Sequence, residues 1–352
     1  MAKLSEICTI NMGQSPESTT YNENGEGLPF FQGNADFSKI HPNVRVWCNA
    51  PKKIAHKNDI LISVRAPIGA LNVADSDCCI GRGLASLSVN NSVSVAEYIW
   101  YALESKVDYL ISMGTGSTFK AIGKNILFDL DIPLPPLETQ RQIAANLDKV
   151  THTIDLCNAI LEKLDLLVKS RFVEMFGEPV YNTKHFTTKH GIDIFKLSNG
   201  KPVPEEKRME DGIPAFGGNG ISWYTDDVLY NKDTLVIGRV GFQSGNVHYA
   251  KAPLWVTDNA MYISEMIDNN FDLTFLCDLM EHIDFTRYQD AGDLKKITQK
   301  PFMNMEFIVP PLELQKRYVS FVEQTDKSKL AVKQVIEKAE TLKKALMQEY
   351  FG

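Results

Sequence analysis

The chain has 352 residues, of which 44% are hydrophobic and 23% are charged, and its formal net charge is −7. This composition excludes disordered and fibrous proteins, and the length suffices for two or three domains with their own cores. The acidic balance weighs against a nucleic-acid binder, although an acidic chain can still carry local basic faces. The sequence opens without an apolar signal core and contains no run long enough to span a bilayer, so we expect a cytoplasmic protein.

The first expected domain covers residues 1–134. Strand-like runs at residues 59–65 and 85–89 stand among turn-rich loops, and a helical pattern follows at residues 96–111. Strands, irregular loops and few helices, without a Rossmann-like alternation, indicate a mixed α/β domain.

A long helix is predicted over residues 135–177. Pro135 and Pro136 suit its start, Glu138 lies at the positive end of the helix dipole, and Gly177 is a natural left-handed cap. Between these ends, residues step by alternating fours and threes in a heptad seam that only Arg171 interrupts. The seam comprises Ile143, Leu147, Val150, Ile154, Cys157, Leu161, Leu164, Val168, Arg171 and Met175.

The second half of the chain repeats the first. The opening Pro-Pro-Leu-Glu-x-Gln at residues 135–140 recurs at residues 310–315, a shift of 175 positions without a gap. Residues 212–219 similarly resemble residues 27–34, and residues 233–239 resemble residues 59–65. The duplication predicts a second domain over residues 178–309 and a second helix over residues 310–352, whose seam Lys329 and Lys343 interrupt.

This organisation predicts an α+β fold. Two mixed α/β domains alternate with two long helices, which we expect to pair as an antiparallel coiled coil about a pseudo-two-fold axis. A helix of roughly 40 residues extends ~60 Å. Two domains held apart by such a pair could measure the separation of two half-sites on DNA, and half-sites one turn of B-DNA apart lie about 34–36 Å from centre to centre.

Cysteine spacing and sequence motifs predict neither a metal nor a cofactor. The six cysteines form no CxxC pair, so we expect reduced and mostly buried thiols. The sequence lacks HExxH, Gly-x-Ser-x-Gly and the Asn/Asp-Pro-Pro-aromatic tetrapeptide of amino-methyltransferases. Residues 114–120 are glycine-rich but lack the spacing of a phosphate loop. The sequence leaves open a nuclease site whose carboxylates are scattered along the chain.

Polar residues beside aromatic residues, at turns and at strand ends, are the candidate DNA contacts. Asn and Gln can make bidentate contacts to adenine and Arg to guanine, while the two lysines can meet phosphates. For each residue the plain alternative is an amide that satisfies a turn or a solvated charge. The candidates are Gln32, Asn34, Arg65, Arg82, Lys120, Asn219, Arg239 and Lys295.

The repeated helix openings, together with residues 59–69, 79–84, 236–241 and 256–260, resemble the DNA-specificity subunits of type I restriction-modification systems. The resemblance implies two target-recognition domains, each reading one part of a split double-stranded DNA sequence, and helical spacers that set the gap. It also implies that two methyltransferase subunits carrying S-adenosylmethionine dock on the helices, and it leaves room for a motor-nuclease subunit. The chain itself would catalyse nothing.

Two other hypotheses stay open at this stage. An enzyme with an unrecognised nuclease or methyltransferase site would modify or cut DNA alone, given a metal or a methyl donor. A protein-binding coiled-coil adaptor would show no salt-dependent DNA binding, even in a complex.

Overall fold

The computed structural model describes residues 1–116, 120–290, 292 and 295–352. The chain forms two compact units: unit 1 comprises Met1–Asn158 and Lys333–Gly352, and unit 2 comprises Ala159–Val332. Both units combine sheets with helices, which confirms the predicted α+β class. Within the described residues, no helix has the length and apolarity needed to cross a membrane. Residues 117–119 of the glycine-rich loop, and Leu294 of the repeat that corresponds to it, lie outside the described part.

Unit 1 begins with short strands and ends in helices. Its strands are β1 (Ala2–Lys3), β2 (Cys8–Met12), β3 (Tyr21–Asn22), β4 (Leu28–Phe31), β5 (Trp47–Cys48), β6 (Ile54–Ala55), β7 (Ile60–Ser63), β8 (Leu71–Val73), β9 (Cys78–Ile80), β10 (Leu84–Val89) and β11 (Asp131–Ile132). Its helices are α1 (Leu4–Ile7), α2 (Ala96–Ser105), α3 (Val107–Ser112), α4 (Lys124–Phe128) and the first part of α5 (Leu137–Phe176). The helical pattern expected over residues 96–111 is confirmed as α2 and α3, which are separated by Lys106, with φ −101° and ψ 6°.

Two sheets organise the core of unit 1. The first is antiparallel with strand order β2-β10-β7-β8, and the second, of order β3-β5-β4-β9-β6, contains the parallel pair of β4 and β9. Tyr98, Ile99 and Leu103 of α2 are fully buried in one cluster with Ile62 and Leu87 of the first sheet. Burial of this helix face therefore holds α2 on the sheet.

Unit 2 repeats this topology. Its strands are β12 (Thr188–His190), β13 (Phe195–Asn199), β14 (Ile213–Gly217), β15 (Gly220–Thr225), β16 (Thr234–Gly238), β17 (Val247–Ala250), β18 (Trp255–Val256), β19 (Ala260–Met266) and β20 (Glu306–Ile308). Its helices are the end of α5, α6 (Gly191–Ile194), α7 (Leu273–Ile283), α8 (Lys300–Asn304) and the first part of α9 (Leu312–Phe351). The order β13-β19-β16-β17 matches β2-β10-β7-β8, and the parallel pair of β14 and β18 matches β4 and β9.

Both long helices contain 40 residues, and their bounds lie within two residues of the predicted ones. On α5, Ile143, Leu147 and Cys157 of the predicted seam are buried, and every other seam residue is half-buried. The flanking positions are mostly exposed. The heptad pattern therefore located the packed face of α5 correctly.

The two long helices run antiparallel within each unit. In unit 1, Phe351 near the end of α9 shares a buried cluster with Leu147 near the start of α5. In unit 2, the rings of Phe172 near the end of α5 and Tyr318 near the start of α9 lie 5.5 Å apart.

The two lysines on the seam of α9 are neutralised by carboxylates. Lys329 Nζ lies 2.7 Å from Asp165 Oδ1, and Lys343 Nζ lies 2.8 Å from Glu104 Oε1. Both lysine side chains are only 22% exposed. The seam therefore continues through these positions as ion pairs.

A buried glutamine ends each copy of the repeated opening motif. Gln140 Nε2 donates to the carbonyl of Pro135 at 2.8 Å, and its Oε1 accepts from Ser94 Oγ at 2.7 Å. Gln315 Nε2 donates to the carbonyl of Pro310, also at 2.8 Å. Each glutamine thus fastens the first turn of a long helix to the chain that precedes it.

Candidate nucleic-acid interface

A polar cleft of about 710 Å³ opens in unit 1. It gathers Gln32, Asn34, Arg65 and Arg82, four of the candidates named from the sequence, beside the buried Phe30. Gln32 and the two arginines are exposed, and Asn34 is half-buried. Amide and guanidinium groups of this kind contact base edges and phosphates.

Close approach of two backbone segments brings these side chains together. The N–H of Gly83 donates to the carbonyl of Gln32 at 3.1 Å. A Cβ on Gly83 would lie 2.4 Å from that oxygen, so a side chain at this position would displace the segment. The N–H of Val64 in turn donates to the carbonyl of Gly83 at 2.9 Å, which brings Arg65 close to Arg82.

Arg45 also lines this cleft, and sequence reasoning missed it. Its guanidinium donates to Asp36 Oδ1 through both Nε, at 3.1 Å, and Nη2. The other oxygen of Asp36 accepts from the N–H of Gln32 at 2.9 Å. The nine-residue separation of Arg45 and Asp36, across an irregular loop, gave no periodic pattern from which to recognise the pair.

Lys120 lies beside the cleft. Its carbonyl accepts from the N–H of Ala66, a cleft residue, at 3.1 Å, and Lys120 itself is exposed. The structure therefore keeps this candidate next to Arg65 without making it part of the lining.

In unit 2, two candidates lie on adjoining segments. The N–H of Arg239 donates to the carbonyl of Asn259 and the N–H of Gly241 to that of Lys295, both at 2.8 Å. The guanidinium of Arg239 donates to the carbonyl of Asp258 at 3.2 Å. Part of its donor capacity is thus used within the unit.

Asn219 is near the same segments. It lies in the turn between β14 and β15, and a Cβ on the preceding Gly218 would stand 3.3 Å from the carbonyl of Val240. Asn219, Arg239 and Lys295 therefore form one region of unit 2.

The sequence comparison matched Arg65, after β7, with Arg239, after β16. The hydrogen bonds give a correspondence that differs from this match by one residue. Val64 donates to one neighbouring segment and accepts from another, and Arg239 makes the two corresponding hydrogen bonds in unit 2. Arg239 thus corresponds to Val64, and Val240 corresponds to Arg65. Because successive residues of an extended chain point to opposite faces, the two arginines are not equivalent contacts.

Phe242 is a second residue that sequence reasoning missed. Its side chain is 84% exposed, in the loop between β16 and β17 next to Lys295. Gln289 Nε2 donates to the carbonyl of Ser244 in this loop at 2.6 Å. Exposed aromatic rings in DNA-binding proteins stack on bases or wedge between them. The available signal was an aromatic residue between Gly241 and Gly245.

The cysteines and one histidine outside these regions are enclosed. All six cysteines are free and buried, as expected, and burial raises the pKa of Cys8 and Cys78 to about 12. Burial also lowers the pKa of His248. Across the described ranges, no three His, Cys, Asp or Glu side chains are grouped as metal ligands.

The duplicated topology, with a polar region in each unit, has a counterpart in a known protein family. The family model of the type I restriction modification DNA specificity domain matches residues 1–166 and 177–341, and the chain belongs to this family.

Individual relatives show how far the similarity extends. A putative type I restriction enzyme specificity subunit of Methanocaldococcus jannaschii is 44% identical over 159 residues, which cover 44% of this chain and 37% of the relative. The alignment therefore spans little more than a third of that protein. A putative type I specificity subunit of Mycoplasma pneumoniae is 24% identical over 71% of this chain and 69% of its own length. The crystal structure of a type I restriction-modification S subunit from M. genitalium has the same fold, with a TM-score of 0.66 and 18% identity over 100% of this chain and 95% of the other.

Proposed function

We propose that the chain is the DNA-recognition subunit of a type I restriction-modification complex and catalyses nothing itself. Target-recognition domains at residues 1–134 and 178–309 each bind one half of a split double-stranded target, in the cytoplasm. Spacer helices at residues 135–177 and 310–352 set the gap. Two methyltransferase subunits carrying S-adenosylmethionine are its partners, and a motor-nuclease subunit is a further one.

The cleft of unit 1 is the observation that carries this proposal. Three arginines, Arg45, Arg65 and Arg82, line it against two carboxylates, Glu23 and Asp36, in a chain whose net charge is −7. Concentration of guanidinium groups in an otherwise acidic chain favours a polyanionic ligand. The adjoining amide of Gln32 supplies a donor and an acceptor of the kind that distinguish base edges, which favours DNA over a simple phosphate.

Two related but unequal units favour a split target. The topology is repeated, whereas Arg65 of unit 1 corresponds to Val240 of unit 2. A retained frame with different exposed side chains suits two half-sites of different sequence.

The long helices carry repeated apolar positions outside their seams. Ile160 and Leu167 of α5 are 44% and 48% exposed, and Val335 and Leu342, 175 positions later on α9, are 45% and 49% exposed. Pairing of the helices does not account for exposed aliphatic residues at the same two positions of each repeat. Two copies of one partner account for them, which supports docking of two methyltransferase subunits.

The test is to co-express the chain with the methyltransferase subunit of its own system and to sequence the methylated products of random-sequence duplex DNA. We expect methylation at a split motif by the pair and by neither protein alone. Removing two cleft arginines, with Arg65→Ala and Arg82→Ala together, should weaken DNA binding and reduce its salt dependence. Lys316→Ala, which removes an exposed charge at the start of α9, is the matched control.

Other outcomes separate the alternatives. Cleavage or methylation by the isolated chain would identify an enzyme. Assembly with a protein partner but no DNA binding at low salt would favour the protein-binding adaptor.

A further inference from the structure

One arginine of the unit 1 cleft is held in place by a carboxylate. The side chain of Asp36 is 10% exposed, whereas that of Arg45 is 62% exposed. Asp36 accepts from the N–H of Gln32 with its other oxygen, so it is itself fixed to the cleft wall. The buried carboxylate therefore anchors an exposed guanidinium.

The atoms used in this contact leave a recognition edge available. A guanidinium has five N–H donors, and Arg45 faces Asp36 side-on, through Nε and Nη2. The end-on pair, one N–H each on Nη1 and Nη2, is not used by this contact. Two parallel donors match O6 and N7 of guanine in the major groove.

The other two arginines of the cleft differ in this respect. Arg65 and Arg82 form no ion pair within the described part of the chain, whereas Arg45 does. An arginine that is already held loses less side-chain freedom when it binds, so its preference for one base is sharper. The two unpaired arginines suit phosphates, which tolerate varied geometry.

Unit 2 lacks a counterpart of this arrangement at the equivalent turn. After Asn219, which corresponds to Asn34, the chain continues directly into β15, and Ile221 occupies the position of Asp36. The held arginine is therefore a feature of one unit, as a residue that reads one half-site requires.

We propose that Arg45, positioned by Asp36, reads a guanine in the half-site bound by unit 1. This inference rests on the proposed DNA-recognition function and adds to it a base and the side chain that reads it.

The test uses the full chain with its methyltransferase subunit and random-sequence duplex DNA. Arg45→Lys keeps the charge but removes the two-pronged donor edge, and Asp36→Asn keeps Arg45 but removes the charge that holds it. We expect both variants to lose discrimination at one G·C pair of one half-site, by on the order of 10- to 100-fold, with the other half-site unchanged. Arg82→Lys changes an arginine of the same cleft without a carboxylate partner, and it should affect overall DNA affinity but not the preference for that G·C pair.

Each contrary outcome is distinct. The inference is overturned if the complex with Arg45→Lys methylates the same motif as the parent complex, or if the position that loses discrimination is an A·T pair. It is also overturned if Arg82→Lys loses discrimination at the same G·C pair. If the parent complex methylates without sequence preference, the proposed function fails and this inference with it. Because Arg45→Lys alters an exposed side chain, this variant should have the same unfolding temperature as the parent protein. It therefore tests the inference even if Asp36→Asn fails to fold.

Discussion

Gln140 is completely buried at the start of α5. Its Oε1 accepts a hydrogen bond from Ser94 Oγ, and its Nε2 donates to the carbonyl groups of Val93 and Pro135. We expect Gln140→Ala to lower the free energy of unfolding by about 3 kcal/mol, because these buried groups lose their partner. Urea unfolding measures the change. Gln142→Ala, two residues further on and exposed, should change it by less than about 0.5 kcal/mol. Equal midpoints for the two variants would contradict a structural role for the motif glutamine.

Asp278 links the stability of unit 2 to pH. Burial raises its pKa above the ordinary value of 3.8, although the hydroxyl of Tyr318 donates to the carboxylate at 2.6 Å. The folded state therefore prefers the protonated acid. The contribution of this carboxyl group to the stability of the fold is fully present below the ordinary pKa. It is lost as the pH rises through the raised pKa of the folded state.

Asp278→Asn should remove that loss, since an amide can still accept from Tyr318 but does not ionise. We expect the unfolding free energy of the variant minus that of the parent to increase between pH 4 and pH 7, measured by urea unfolding at each pH. Asp193→Asn, an exposed change in the same unit, is the control. A difference that is the same at every pH would show that Asp278 does not titrate in this range.

Sequence reasoning found individual contact candidates more readily than their geometry. Gln32, Asn34, Arg65 and Arg82 were identifiable because polar residues at turns and strand ends lack a core role, and these four share one cleft. Arg45 was not, because its anchoring depends on a buried carboxylate that only the folded loop supplies. The contacts that any of these residues makes with DNA stay a prediction.

At the scale of elements, the ion pair between Lys343 of α9 and Glu104 of α2 is a sensitive point of unit 1. Lys343→Glu would place two carboxylates together in a partly enclosed site. We expect a loss of about 1–2 kcal/mol, reduced from the cost of a buried pair because Glu104 is 38% exposed.

The reciprocal exchange supplies the control. Combining Lys343→Glu with Glu104→Lys should recover most of the loss in thermal or urea unfolding, whereas Lys338→Glu, on an exposed face of α9, should have little effect. No recovery in the double variant would show that the pair contributes through packing of the lysine stem instead of charge.

The long helices were predictable because their information is local and periodic. Two prolines, a terminal glycine and a seam of alternating steps fix α5 without reference to the rest of the chain. Two-residue strands such as β5 and β6 carry no such pattern, since their pairing partners lie far away in sequence. The break between α2 and α3 at Lys106 has no local pattern either, and the Nζ of this residue donates at 2.7 Å to the carbonyl of Phe351, 245 positions away.

At the scale of the whole molecule, the duplication was readable from the ungapped repeat of 175 positions, and the matched sheet orders follow it. The helices α5 and α9 are the only elements that contribute residues to both units within the described chain. Their length is therefore the quantity that a spacer function would use.

Lengthening both helices by one heptad tests that function. Seven residues inserted after Asn158 and seven after Val332 keep the seam in phase and add about 10.5 Å of helix, close to the rise of three base pairs. Sequencing the DNA methylated by the complex should show both half-sites unchanged and the gap about three base pairs longer. An insertion into α5 alone would put the pairing out of register, and we expect it to abolish methylation. An unchanged gap with two lengthened helices would mean that the spacing is set elsewhere in the complex.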